Sequence, residues 1–233
     1  MRYVRDLIPS IDTMPTRMRG NYPEITDEEF WDCYRLASPY SMVHVTGFYE
    51  TYQALRYIAA SGIRGDFVEC GCFLGGMAIF IGMLRPRLGL AGRTVYLYDT
   101  FAGPPAGESD VVFGVLQHSA PLPSYYDAVR ANIETVLGGD DGFTLVPGRV
   151  EETLPAAAPG ELALLRLDTD FYASTKVELE TLYPRLVSGG VIAIDDYGMY
   201  PGARRATDEF MAAQGRRPLL HRIDGSVWAG VKP

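Results

Sequence analysis

Apolar residues recur at helical spacing in the first third of the chain. Phe30, Tyr34 and Ala37 stand at i, i+4 and i+7, and Val45, Phe48, Tyr52, Leu55 and Ala59 form one longer stripe. This spacing predicts two helices, each with one face against a core. Thr26 and Glu29 have the capping-box spacing that would start the first helix, and Ser61-Gly62 would end the second. Met1 to Pro23 is rich in Arg, Pro and Met without a period, which predicts an irregular arm. From Asp66 onward the pattern changes to short continuous apolar runs alternating with helical stripes.

Those runs predict strands over Asp66–Cys70, Thr94–Tyr98, Phe143–Val146, Leu162–Leu167 and Val191–Ile194. Helices are predicted over about Met77–Leu84, around Tyr126, Val129, Ile133 and Val136, and over Ser174–Leu186, with a Ser188-Gly189-Gly190 turn before the last strand. Leu219 to Val231 reads as two short strands around Asp224-Gly225, an antiparallel hairpin. Strand and helix in alternation predict an α/β fold with a mostly parallel sheet covered on both faces. The expected organisation is an arm with a short helix over residues 1–40, a lid or dimer contact, followed by one domain over 41–233.

Composition narrows the partners. A chain of 233 residues, 47% hydrophobic and 21% charged, has ordinary globular balance. Its net charge of −8 lacks the basic face that nucleic acid or an acidic membrane would need. No apolar run approaches the roughly 18 residues of a membrane span, and the charged, proline-bearing N-terminus lacks the apolar core of a signal peptide. A cytoplasmic location is expected. Cys33, Cys70 and Cys72 are an odd set without a disulfide framework or a second pair for zinc. They read as small buried hydrophobes.

In such sheets ligands bind at the carboxyl ends of the strands, and four of those ends carry an acid. The first strand runs into Glu69-Cys70-Gly71-Cys72-Phe73-Leu74-Gly75-Gly76. Gly71 permits a tight turn and close backbone approach, but the spacing is not the G-x-G-x-x-G of a dinucleotide site. Glu69 would repel a pyrophosphate and attract a cationic cofactor; an ordinary strand-to-helix turn is the alternative. Asp99, ending the second strand, suits the two hydroxyls of an adenosine ribose or, taken alone, a helix cap. After the third strand, Gly148, Arg149 and Val150 offer a place for adenine. The fourth and fifth strands end in Asp168-Thr169-Asp170 and Asp195-Asp196. Four carboxylates brought together repel unless a cation, a proton or an arginine neutralises them. Hard oxygen donors without Cys or His suit Mg²⁺; carboxylates fanning into solvent are the alternative.

With these residues in view, the sequence resembles the macrocin-type O-methyltransferases, the TylF/MycF/NovP family that methylates sugars on antibiotics. The resemblance covers most of Ser41 to Lys232. It is carried by Gly65-Asp66-Phe67-Val68-Glu69-Cys70-Gly71, Asp99-Thr100-Phe101-Ala102-Gly103, Glu152-Thr153-Leu154-Pro155, Leu182-Tyr183-Pro184, Gly189-Gly190 and His221-Arg222-Ile223-Asp224. Its most specific part is Leu165-Arg166-Leu167-Asp168-Thr169-Asp170-Phe171-Tyr172-Ala173-Ser174-Thr175 joined to Asp195-Asp196-Tyr197. The chain departs from the family at Cys72-Phe73-Leu74, where bulky residues such as Trp-Arg often stand, and at Thr169, where the family has glycine.

The resemblance implies a Rossmann-like class I S-adenosylmethionine-dependent methyltransferase fold and a homodimer or larger assembly. It implies metal ligands at Asp168, Asp195 and Asp196, with Asp170 as general base. Cofactor contacts are expected at Ser41, Glu69, Gly71, Asp99, Thr100, Phe101, Gly148, Arg149 and Val150. The expected reaction is Mg²⁺-dependent methyl transfer from S-adenosylmethionine to a hydroxyl of a natural-product glycoside. A catechol-like diol is the alternative acceptor, for which Tyr40, Tyr49, Tyr125 and Tyr126 would suit either ring type, and His221 is the alternative base. From other classes, an NAD-dependent oxidoreductase and a non-catalytic S-adenosylmethionine-binding protein stay open.

Overall fold

A computed structural model describes residues 19–105, 109–112, 115–118 and 122–233. Residues 1–18, where most of the irregular arm was expected, lie outside that description. The central sheet has seven strands in the order β5-β2-β1-β6-β7-β9-β8. They are β1 (Asp66–Cys70), β2 (Val95–Asp99), β5 (Phe143–Pro147), β6 (Leu162–Leu167), β7 (Leu186–Ile194), β8 (His221–Arg222) and β9 (Trp228–Val231). β5, β2, β1, β6 and β7 pair in parallel, and β9 pairs antiparallel to both β7 and β8. A separate short hairpin joins β3 (Ser109–Val112) to β4 (Val115–His118). The expected mostly parallel sheet with a C-terminal antiparallel hairpin is therefore present. Every residue of β6 is buried, as an inner parallel strand covered on both faces requires.

The helices are α1 (Glu28–Ala37), α2 (Val45–Ala60), α3 (Gly76–Arg87), α4 (Tyr126–Leu137), α5 (Val150–Ala157), α6 (Tyr172–Leu182) and α7 (Pro201–Ala212). α1 to α4 pack on one face through Phe30, Phe48, Leu55, Phe80 and Ile133. α5 to α7 cover the other through Leu154, Leu179, Leu182 and Met211. Phe30 is the hub of the first core: its ring meets those of Trp31, Tyr49 and Phe80 edge-on at centroid distances of 5.0, 5.2 and 5.8 Å. Such pairs add about 0.5–1.5 kcal/mol each beyond area burial. Tyr49 and Tyr126 are thereby accounted for as packing, Tyr126 standing edge-on to Phe101. All three cysteines are free and buried, as expected. Among the described residues no helix is long and apolar enough to cross a membrane.

Several local expectations are corrected. Asp27, not Thr26, caps α1, its carboxylate accepting the Glu29 N–H at 3.2 Å. The helix expected over Ser174–Leu186 stops at Leu182, and Tyr183–Arg185 tightens into a 3₁₀ turn. Pro184 lacks the N–H a continuing helix would need. Ser188-Gly189-Gly190 is no turn but part of β7. The tail holds it there, Gly189 N–H donating to Lys232 O and Lys232 N–H to Gly190 O, both at 2.8 Å. The sequence pattern also missed α5 and α7. α5 buries only Val150 and Leu154, and the stripe of α7, Ala203, Ala206, Phe210 and Met211, begins with two alanines too small to stand out as apolar.

Candidate active site

β1 leads into β2 on one side of the sheet while its other neighbour is β6. Strand order reverses here, and the crevice outside the carboxyl ends at such a point is where α/β sheets bind ligands. A cleft of about 510 Å³ lies there. Ser41, Glu69, Gly71, Asp99, Thr100, Gly148, Arg149, Val150, Asp168, Asp170, Asp195 and Asp196 all line it. Phe101 does not. It is 1% exposed and turned away, its ring edge-on to those of Tyr125 and Tyr126. His221, the alternative base, is exposed on β8 and not in the cleft wall. Of the four tyrosines considered for an acceptor ring, only Tyr125 reaches the cleft.

The turns that shape the cleft depend on unusual backbone. Gly71 has φ +80°, and a Cβ there would lie 1.8 Å from the carbonyl oxygen of Asp168. Only glycine lets the β1 turn press against the end of β6. Among the described residues, three that are not glycine also have left-handed backbone: Phe73, Phe101 and Asp170, at φ 48°, 50° and 70°. They follow β1, β2 and β6, so the strain is concentrated around the cleft, where functional sites characteristically store it.

Asp99 organises two of these loops. One carboxylate oxygen accepts the N–H groups of Cys72 and Phe73 at 2.7 and 3.2 Å. The other accepts the Phe101 N–H at 2.7 Å and the Tyr125 hydroxyl at 3.2 Å. A carboxylate has about four lone-pair sites, and here protein donors engage them all. The expected ribose acceptor is therefore, in this conformation, the tie that holds the β1 and β2 loops together.

Glu69 is 1% exposed. Burial pushes its carboxyl up to about 7 against the opposing pull of Arg166. Arg166 is the principal residue that the sequence reading passed over. It is fully buried, with its Nη2 at 2.7 Å from Asp168 and 2.5 Å from Asp195, and its Nε at 3.5 Å from Glu69. Burial alone would lower its pKa, but Asp195, Asp168 and Glu69 hold it above the ordinary guanidinium value. The signal was available: a charge inside the apolar run Leu165-Arg166-Leu167 is almost never buried without partners.

The four aspartates expected to cluster do so. Carboxylate oxygens of Asp168, Asp195 and Asp196 lie within 4.8 Å of one another. Asp170 sits beside them, its backbone N–H donating to Asp196 Oδ2 at 2.9 Å and its carboxylate near the Tyr200 hydroxyl. Burial raises the carboxyls of Asp168 and Asp196, and it raises Asp170 to about 6. Glu178, buried under this loop, accepts the Thr169 hydroxyl at 2.8 Å, and burial pushes it to about 8. The far wall comes from Met199 and Tyr200 before α7 and from Asp224, Ser226 and Val227 between β8 and β9. Asp224 is pinned by the Thr46 hydroxyl at 2.5 Å, which ties that wall to the first turn of α2.

A parallel sheet with this strand order, a glycine turn after β1 and acids at the ends of β1, β2, β6 and β7 define a class I methyltransferase fold, whose cofactor is S-adenosylmethionine. Residues 26–230 match the macrocin-O-methyltransferase (TylF) family, and the chain belongs to this family of O-methyltransferases. It is 36% identical over 72% of its length to an 8-demethyl-8-(2,3-dimethoxy-α-L-rhamnosyl)-tetracenomycin-C 4′-O-methyltransferase of Streptomyces olivaceus. The match spans 66% of that relative, just under two thirds. It is 32% identical over 82% of its length, and 76% of the relative's, to a demethyldecarbamoylnovobiocin O-methyltransferase of Streptomyces niveus. The solved structure of the O-methyltransferase NovP superposes with a TM-score of 0.73 at 28% identity, covering 83% of this chain and 82% of that one.

Proposed function

We propose that this protein transfers a methyl group from S-adenosylmethionine to a sugar hydroxyl of a natural-product glycoside. The observation that carries the reading is one cleft in which the cofactor turns of β1 and β2 meet the aspartate cluster of β6 and β7. The names of the tetracenomycin and novobiocin relatives support glycosides as the acceptor class. The NAD-dependent oxidoreductase and the non-catalytic binding protein lose ground to the family membership and to the acid cluster, which neither needs.

In this reading Glu69 faces the cationic end of the cofactor, and Gly148, Arg149 and Val150 frame its adenine. Asp168, Asp195 and Asp196 are the residues that would hold a divalent metal, since their oxygens are close enough to share one ion and are hard donors of the kind Mg²⁺ prefers. Bound there, such an ion would stabilise negative charge developing on the acceptor oxygen. Asp170 removes the hydroxyl proton as the oxygen–carbon bond forms and the carbon–sulfur bond of the sulfonium breaks, leaving S-adenosylhomocysteine. Tyr200 holds the Asp170 carboxylate in place. The homo-oligomer implied by the family belongs to the same reading and is checked by light scattering.

The test uses isotope-labelled S-adenosylmethionine with candidate glycosides and with a catechol-like diol as the comparison acceptor. Labelled glycoside supports the reading, whereas labelled diol alone overturns the acceptor class. Asp170→Asn should keep S-adenosylhomocysteine affinity yet slow single-turnover transfer by about a hundredfold or more, the scale of a positioned base. A fast Asp170→Asn enzyme would remove Asp170 from proton transfer. Activity undiminished by thorough chelation would remove the metal.

A further inference from the structure

Arg166 and its partners follow from strand register. Arg166 on β6 lies opposite Glu69 on β1 and opposite Ala193 on β7. Asp168 and Asp195 are each two residues further along their strands, so they share the Arg166 face and stand one step nearer the cleft. The guanidinium thus lies beneath the cleft floor, between the acid on the cofactor side and the acids on the other.

Its hydrogen bonding is lopsided. Nη2 serves both Asp168 and Asp195. Nε and Nη1 have no hydrogen-bond partner among the described residues, and neither does Glu69 Oε2. Buried donors and a buried acceptor left open beside each other are costly. Nε already faces Glu69 Oε1 as an ion pair at 3.5 Å without a hydrogen bond, so Glu69 offers the same cation a second docking position that is only partly used. Carboxylates as close as Asp168, Asp195 and Asp196 also repel one another, and whenever the chain is folded without a metal they need a counter-charge or a proton.

We propose that Arg166 is a tethered stand-in cation, which neutralises Asp168 and Asp195 until a divalent metal takes them and then turns onto Glu69. This rests on the reading of Asp168, Asp195 and Asp196 as the metal-holding set. Arg166 is on this account a positioning residue. It lets the acid cluster fold without metal, and any incoming ion must first displace it. Metal affinity is therefore weaker than the three carboxylates alone would give.

The experiment is calorimetric titration of Mg²⁺ and Mn²⁺ into the wild-type protein, Arg166→Met and Arg166→Lys, with thermal unfolding of each in chelator and in Mg²⁺. Arg166→Met should bind metal roughly tenfold tighter or more, since two charge-assisted contacts no longer have to be broken. Its Tm should fall in chelator and recover in Mg²⁺, while the wild-type Tm moves little. Arg166→Lys keeps a charge, but its ammonium stops one bond short of the aspartates, so a smaller gain in affinity is expected. That variant decides the question if Arg166→Met does not fold. A purely structural arginine predicts lower Tm with no gain in metal affinity, and that result overturns the proposal while leaving the metal set standing if the wild-type protein binds metal. Metal binding seen only in the variants supports the proposal. Metal binding by none of the three proteins removes the metal set and the proposal together.

Discussion

Replacing Asp99 by Asn changes one atom and tests whether this residue serves the cofactor alone or the loops that hold it. One carboxylate oxygen accepts from Cys72 N–H and Phe73 N–H, and the other from Phe101 N–H and the Tyr125 hydroxyl, with the Thr100 hydroxyl a longer contact at 3.4 Å. An amide has only one acceptor atom. If its NH₂ faced Cys72 and Phe73, two backbone donors would be opposed by a third. The less costly orientation turns it toward Phe101 and Tyr125, because the Tyr125 hydroxyl rotates and the Phe101 N–H alone is left without an acceptor. That loss, at a residue only 8% exposed, removes one hydrogen bond to a charged group, worth about 1.5–3 kcal/mol, and strands a buried donor. A destabilisation of about 2–4 kcal/mol is expected, together with weaker binding of S-adenosylhomocysteine as the Cys72–Phe73 and Thr100–Phe101 turns loosen. Urea unfolding without ligand measures the first effect and calorimetry the second. A ribose-only role predicts lower cofactor affinity with an unchanged urea midpoint, and that pair of results would refute the reasoning.

Two further perturbations probe the same region. Glu178, held at about 8 by burial, keeps its proton in the folded chain, whereas the unfolded chain releases it near the ordinary value of 4.5. Its contribution to stability is thus fully present below about pH 4.5 and is lost as pH rises through about 8. Glu178→Gln should gain on the wild-type protein by a few kcal/mol across that window, at about 1.4 kcal/mol per unit as an upper scale; a stability difference independent of pH would show that the carboxyl is ionised when folded. Gly71→Ala should destabilise on the order of 3 kcal/mol or more, since the new Cβ meets the Asp168 carbonyl at 1.8 Å and the backbone is at φ +80°. An alanine variant with unchanged Tm would mean that this turn relaxes freely.

The elements with a strong period were legible in the sequence because burial imposes that period directly. Phe30, Tyr34 and Ala37 in α1 and the continuous run of β6 announce the faces that meet the core. The acids at the strand ends were legible for a related reason: a carboxylate directly after a buried parallel strand has few places to be except the ligand crevice. Elements that bury little, such as α5 with Val150 and Leu154, gave no pattern to read. Tertiary structure alone decided what depends on residues far apart in the chain. Lys232, directly after β9, turned Gly189-Gly190 from a turn into a strand, because its backbone supplied the hydrogen bonds that a turn would have left to solvent. Asp99 became a brace for two loops, because donors from Cys72, Phe73 and Tyr125 converge on it. Arg166 came to face Glu69, Asp168 and Asp195 together because β1, β6 and β7 lie side by side. Residue types along a chain state which charges must be buried; only the packing of strands decides which opposite charge each one meets.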